Sequence, residues 1–283
     1  MTTAALPDSN SPAWHRWFPP VFAAVGTALL ALGAWLWLRD ADASIWQALP
    51  LGKAGLEPEY CELNRMDLAV RQPVNAWSNL CYGAFGIWII GWAIVDAVRG
   101  AGHNAQRRHP ALTAWLGLMQ LGLCGGSFFF HASLTKLGQH WDMAFTYGLA
   151  LGLCANGSYR LALMRGMAES GKLRWAFFLL AVAAAVLLYL FKWSVDGKIA
   201  LPAMMLTGVG LAVYVYFRNR EKLSGKMFLA AILLLVLSGV FRSVDLAKVA
   251  CEPEGLLQFH ALWHLCTGLS GFLFLAVFRA EKP

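Results

Sequence analysis

Charge is what this sequence lacks: Asp, Glu, Lys and Arg make up only 14% of its 283 residues, against 58% hydrophobic. Ordinary soluble domains carry about 25% charged residues, so that class is excluded. Internal repeats, low-complexity tracts and any polar stretch long enough for a separate soluble domain are also missing. Acidic residues are the scarcer sign, 16 against 23 Lys and Arg, for a net charge of +7. Such an excess can signal a nucleic-acid partner, but its distribution excludes that here. It follows membrane topology instead.

What the chain has is apolar runs of about 18–24 residues, the length that a ~30 Å hydrocarbon core demands of a helix. They fall at roughly 21–39, 76–98, 111–133, 141–164, 174–192, 199–217, 227–247 and 256–278. Backbone groups in lipid must be satisfied internally, so segments this long predict helices. The expected fold is all-α, a polytopic membrane bundle. Basic residues gather in alternate connections: Arg99, Arg107 and Arg108; Arg160, Arg165, Lys172 and Arg174; Arg218, Arg220, Lys222 and Lys226; Arg279 and Lys282. The other connections hold most of the acids, including Glu57, Glu59, Glu62, Asp67, Glu252 and Glu254. This is the positive-inside bias, and it predicts that both termini are cytoplasmic. The first run ends near Ala41-Asp42-Ala43, which could pass as a signal-peptidase site. Its apolar stretch of about 18 residues exceeds the ~7–15 of a signal peptide's core, so a retained helix is expected.

Four of the six cysteines, Cys81, Cys124, Cys154 and Cys266, fall within helices and read as small buried hydrophobes. Cys61 and Cys251 lie in acidic, extracytoplasmic loops. Two loop cysteines on the oxidising side predict a disulfide.

Ionisable groups inside spanning segments are costly and invite a functional reading. Ser127 and His131 are four apart near the outer end of the third run, and Asp142 follows a short turn at the start of the fourth. His260 and His264, also four apart, share one face early in the eighth. All five groups reach the outer half of the bilayer from three helices. Three neutral imidazoles with a fourth position open are the ligand set of a hydrolytic zinc site. Taken singly, each histidine fits a hydrogen-bonded core residue, and the pair fits a proton relay or interhelical glue. Jointly the five favour a metal centre. His140 is a fourth candidate ligand, though its place in the turn suits an interfacial residue. His15, His103 and His109 fall on the opposite side. Arg242 and Asp245, three apart near the outer end of the seventh run, are expected to form a structural ion pair.

The spacing of Ser127, His131 and Asp142, followed far downstream by His260 and His264, resembles that of the alkaline ceramidases. These belong to the CREST superfamily of seven-helix membrane hydrolases, which also includes adiponectin-receptor-like proteins. Further likeness lies in Phe130-His131-Ala132-Ser133-Leu134, Gly138-Gln139, Phe259-His260-Ala261-Leu262-Trp263-His264, and Cys61-Glu62 followed by Asn75-Ala76-Trp77-Ser78-Asn79-Leu80. It spans about 59–278. The implied organisation is a cytoplasmic tail over 1–20, an additional helix over 21–39, an extracytoplasmic loop over 40–75, a seven-helix catalytic core over 76–278 and a cytoplasmic tail over 279–283.

The resemblance implies Zn2+ on His131, His260 and His264, with Asp142 as general base then acid and Ser127 bonding the water or the developing oxyanion. The implied substrate is a ceramide-like N-acyl lipid of the bilayer, cleaved to a fatty acid and a sphingoid base. The family also has a Ca2+ site before its first shared helix. Glu59, Tyr60, Glu62 and Asn64 match it in part, and Gln72 falls where the family has a glutamate. Two other readings remain: a related hydrolase acting on another lipid amide or ester, and a zinc-containing receptor-like protein with little activity. Asp142 argues against the second, since a carboxylate beside three histidines serves a water nucleophile.

Overall fold

A computed structural model describes residues 14–99 and 104–282 of the chain; His103 and most of the expected N-terminal tail lie outside these. Ten α-helices and no strands are present among the described residues. α1 (Trp14–Leu38) is followed by a loop containing the short α2 (Lys53–Leu56). α3 (Pro73–Ser78) and α4 (Leu80–Arg99) follow one another almost directly, then α5 (Pro110–Ser133), α6 (Lys136–Met164), α7 (Gly171–Leu190), α8 (Gly197–Arg218), α9 (Gly225–Leu246) and α10 (Phe259–Arg279).

Every predicted run is helical. Seven spans are long and apolar enough to cross a membrane, counting α3 and α4 as one. The eighth long helix, α6, has 29 residues but is diluted by Lys136, Gln139, His140, Asp142, Asn156 and Arg160. α1 starts earlier than its apolar run and carries Pro19 and Pro20 in its second turn. There each removes a backbone donor that would otherwise bond within the helix.

Caps set the other boundaries. The Oγ atoms of Thr135, Ser170 and Ser224 and the Asp196 carboxylate accept from backbone amides at the starts of α6, α7, α9 and α8 respectively. Between α5 and α6 the chain turns through Leu134, held in the left-handed region at φ 50°. That conformation strains a residue with a Cβ. Leu134 is fully buried against Ala54, Tyr60 and Phe130, which offsets the cost.

α5 packs on α4 and α6, α10 on α9 and α4, and α6 also on α7 and α8. Glycines permit the closest approaches, as between membrane helices generally. A Cβ on Gly126 of α5 would lie 3.0 Å from the backbone carbon of Trp141 in α6. Gly86 of α4 and Gly117 of α5 face one another as tightly. α1 packs chiefly on α4 and buries only Pro19, Ala23 and Leu38. The outward faces of α7–α9 expose large apolar side chains, among them Leu180, Ile199 and Val236, which requires lipid rather than water around the bundle. This is a multi-pass membrane protein.

The two ends of the bundle differ. Arg279 forks onto Asp96 (3.0 and 2.7 Å) and Arg160 pairs with Glu281 (2.9 Å) at the end where α4, α6 and α10 finish. The opposite end, where α5 and α9 finish and α6 and α10 begin, gathers His131, His140, His260 and His264.

Candidate metal centre

His131 lies in the last turn of α5, and His260 and His264 occupy the first two turns of α10. All three are at most 1% exposed. One ring nitrogen from each falls within 4.8 Å of the other two, the only such potential metal-holding group among the described residues. Residues of two helices far apart in sequence thus converge on one point.

Neighbouring hydrogen bonds fix how two of the rings face that point. Gln72 donates through Nε2 to Asn64 Oδ1 (2.7 Å), which orients its amide so that Oε1 accepts from His131 Nδ1 (2.7 Å). Ser78 Oγ donates to the Asn75 carbonyl (2.8 Å) and so accepts from His264 Nδ1 (2.7 Å). Both imidazoles therefore carry their proton on Nδ1 and keep a lone pair on Nε2. His264 Nε2 is buried without a partner, as is His260 Nδ1, which stands 3.9 Å from Asp245 Oδ2. A buried ring nitrogen left unbonded costs about 1–3 kcal/mol, and coordination to a metal would remove that cost. Outer partners on the far ring nitrogen are the usual accompaniment of metal-bound histidine. The donor set fits zinc. Sequence reasoning missed Gln72 and Ser78 in this role, because an uncharged side chain does not announce which ring it will orient.

Ser127 is 2% exposed, one turn below His131. Its hydroxyl lies close to the Asp142 carboxylate. The close approach of α5 and α6 at Gly126 brings these two together. Asp142 and two of the histidines, His131 and His260, line a cavity of about 510 Å³ whose wall continues through apolar residues of α6, α8, α9 and α10 down to Leu153 and Phe274. Leu206 of α8 and Gly239 of α9 also line it, yet Leu206 is 75% exposed and Gly239 is exposed. The cavity is therefore open sideways between α8 and α9.

The remaining expectations concern Arg242 with Asp245, His140, and the loop from Glu59 to Asn64. Arg242 and Asp245 do not pair: Asp245 is buried toward His260, whereas the Arg242 guanidinium lies over the Trp263 ring at 4.9 Å. Spacing of three places two side chains near each other on a helix, but each here turns toward α10. His140 turns away from the triad, with Nε2 2.8 Å from the Tyr189 carbonyl oxygen. The residues expected to hold calcium form a hydrogen-bonded loop. Glu62 accepts from the amides of Val74 (2.7 Å) and Asn75 (2.8 Å), and Asn64 is engaged by Gln72 and the Ala54 carbonyl. Burial raises the Glu62 pKa above its ordinary value. Tyr60 is buried with its ring 4.2 Å from that of His260, and Glu59 lines the cavity. Of the four residues expected to hold calcium, Glu62 and Asn64 thus accept from protein donors, while Glu59 faces the cavity.

The loop cysteines are joined as expected: Cys61 and Cys251 form a disulfide across 190 residues. It ties the loop bearing Tyr60 and Glu62 to the loop that leads into α10.

Among families of known proteins, the one described as Ceramidase matches residues 57–281. A comparison with curated proteins finds no match. The matched region leaves out α1, in keeping with the peripheral packing of that helix.

Proposed function

The chain belongs to the ceramidase family, and on that premise we propose that it is an intramembrane zinc-dependent amidase. It hydrolyses ceramide-like N-acyl lipids to a fatty acid and a sphingoid base. The observation that carries this reading is the meeting of three buried imidazoles, two with oriented Nε2 atoms, at the head of an apolar cavity open to the bilayer.

His131, His260 and His264 hold the ion. Zinc bound there supplies Lewis acidity and a water acidified toward neutral pH. Asp142 takes the proton of the attacking water and returns it to the departing nitrogen, as general base then acid. Ser127 holds the Asp142 carboxylate in place and so aims its second oxygen at the reacting groups. The acyl chain lies along the apolar wall toward Phe274 and reaches it between α8 and α9, without passing through water. The positive-inside rule supports a cytoplasmic basic end of the bundle and a site in the extracytoplasmic half of the bilayer.

The test is release of long-chain base from a defined ceramide in liposomes, with and without a zinc chelator. Chelator-sensitive release that zinc restores is expected. No release from ceramide, with hydrolysis of a lipid ester instead, would move the enzyme to another acyl substrate. No hydrolysis of either would leave a receptor-like protein.

A further inference from the structure

Arg242 is a cation with carboxylates nearby, those of Asp142 and Asp245, but in contact with neither. It stands near the outer end of α9, where an arginine at membrane depth is costly unless paired. No carboxylate lies within 4.0 Å of it among the described residues: Asp245, its neighbour on the helix, is turned to His260. Its guanidinium lies over the face of Trp263 at 4.9 Å, with Tyr60 nearby. An aromatic face attracts a cation but does not neutralise it. Arg242 is also part of the cavity wall, together with Asp142, His131 and His260, and no other Lys or Arg lines that cavity. The cation lies about one turn above Gly239, beside the lateral opening.

A guanidinium so placed recognises a planar anion with two oxygens, which it binds through a pair of parallel N–H···O bonds. Hydrolysis of an N-acyl lipid creates such a group inside the cavity, since the released acid is a carboxylate at neutral pH. We propose that Arg242 is the receptor for the carboxylate of the long-chain acid product. It holds that group while the acyl tail remains in the apolar part of the cavity, and so sets how strongly the product inhibits. The proposal rests on the amidase reading for the identity of the acid, but binding is measured without turnover.

The probes are palmitate and hexadecanol, which share a chain length and differ in the charged head. Each is titrated by competition with a fluorescent fatty acid against the zinc-loaded and the chelated wild-type protein, and against Arg242→Gln and Arg242→Lys. Wild type is expected to prefer palmitate by about tenfold or more, the scale of a charge-assisted pair, and to keep a preference after zinc is removed. Arg242→Gln should lose that preference and bind hexadecanol unchanged, which shows that the cavity is intact; Arg242→Lys should retain part of it. An unchanged palmitate preference in Arg242→Gln would overturn the proposal. So would a wild-type preference that disappears entirely with zinc, a result that needs no variant. A protein inactive on ceramide that still binds palmitate through Arg242 would refute the substrate reading and leave the receptor standing.

Discussion

At the scale of single residues, the histidines were legible because ionisable groups are rare in apolar runs. Their partners were not, since Gln72 and Ser78 declare themselves only through the hydrogen bonds that orient the rings. Replacing His131, His260 or His264 by Ala should each abolish stoichiometric zinc and lipid hydrolysis while the protein still inserts. Metal analysis that finds full zinc in any one variant refutes that ligand. Gln72→Leu removes the acceptor at His131 Nδ1, and zinc affinity should fall about 10–100-fold. Gln72→Glu keeps an acceptor and should stay close to wild type in chelator competition. Equal zinc affinity in Gln72→Leu would show that the ring is oriented by packing alone. Asp142→Asn should retain zinc yet lose about 10²–10⁴-fold in turnover, the usual contribution of general acid–base catalysis. Turnover within a few-fold of wild type would make Asp142 a structural group. Arg242 and Asp245 show the limit of spacing arguments. Helical periodicity gives neighbours on one helix and is silent about what other helices offer.

At the scale of elements, all eight long helices follow from apolar length and their connections from caps and turns. What the sequence could not give is how they cross, because that depends on where small residues meet across two helices. Gly126 is such a place. Gly126→Val would push the side chain into the Trp141 backbone and Phe145, an overpacking that costs about 1–3 kcal/mol. Because Ser127 and Asp142 meet at this contact, activity should fall further than the thermal midpoint suggests. A variant of normal activity and stability would mean that α5 and α6 can separate here without consequence. The disulfide acts between elements too, fastening the Tyr60 loop to the approach to α10. Cys61→Ser should destabilise by about 2–5 kcal/mol, read as a lower unfolding temperature in detergent. A midpoint unchanged from wild type would show that hydrogen bonds such as that from the Leu63 amide to the Pro253 carbonyl (2.9 Å) hold the two loops unaided.

At the scale of the whole molecule, the two ends of the bundle differ: arginine–carboxylate pairs lie at one end and the three clustered imidazoles at the other. The cavity had no sequence signature, because it arises from the spacing among α6, α8, α9 and α10 rather than from any one segment. Its sideways opening at Leu206 and Gly239 carries a kinetic consequence. A substrate that arrives within the plane of the bilayer is counted by its share of the lipids, not by its molarity in the suspension. Diluting vesicles with buffer should leave the rate per enzyme unchanged, whereas diluting the substrate with inert phospholipid at constant bulk concentration should lower it in proportion. The enzyme in effect works in two dimensions, and the surrounding membrane becomes its reaction medium.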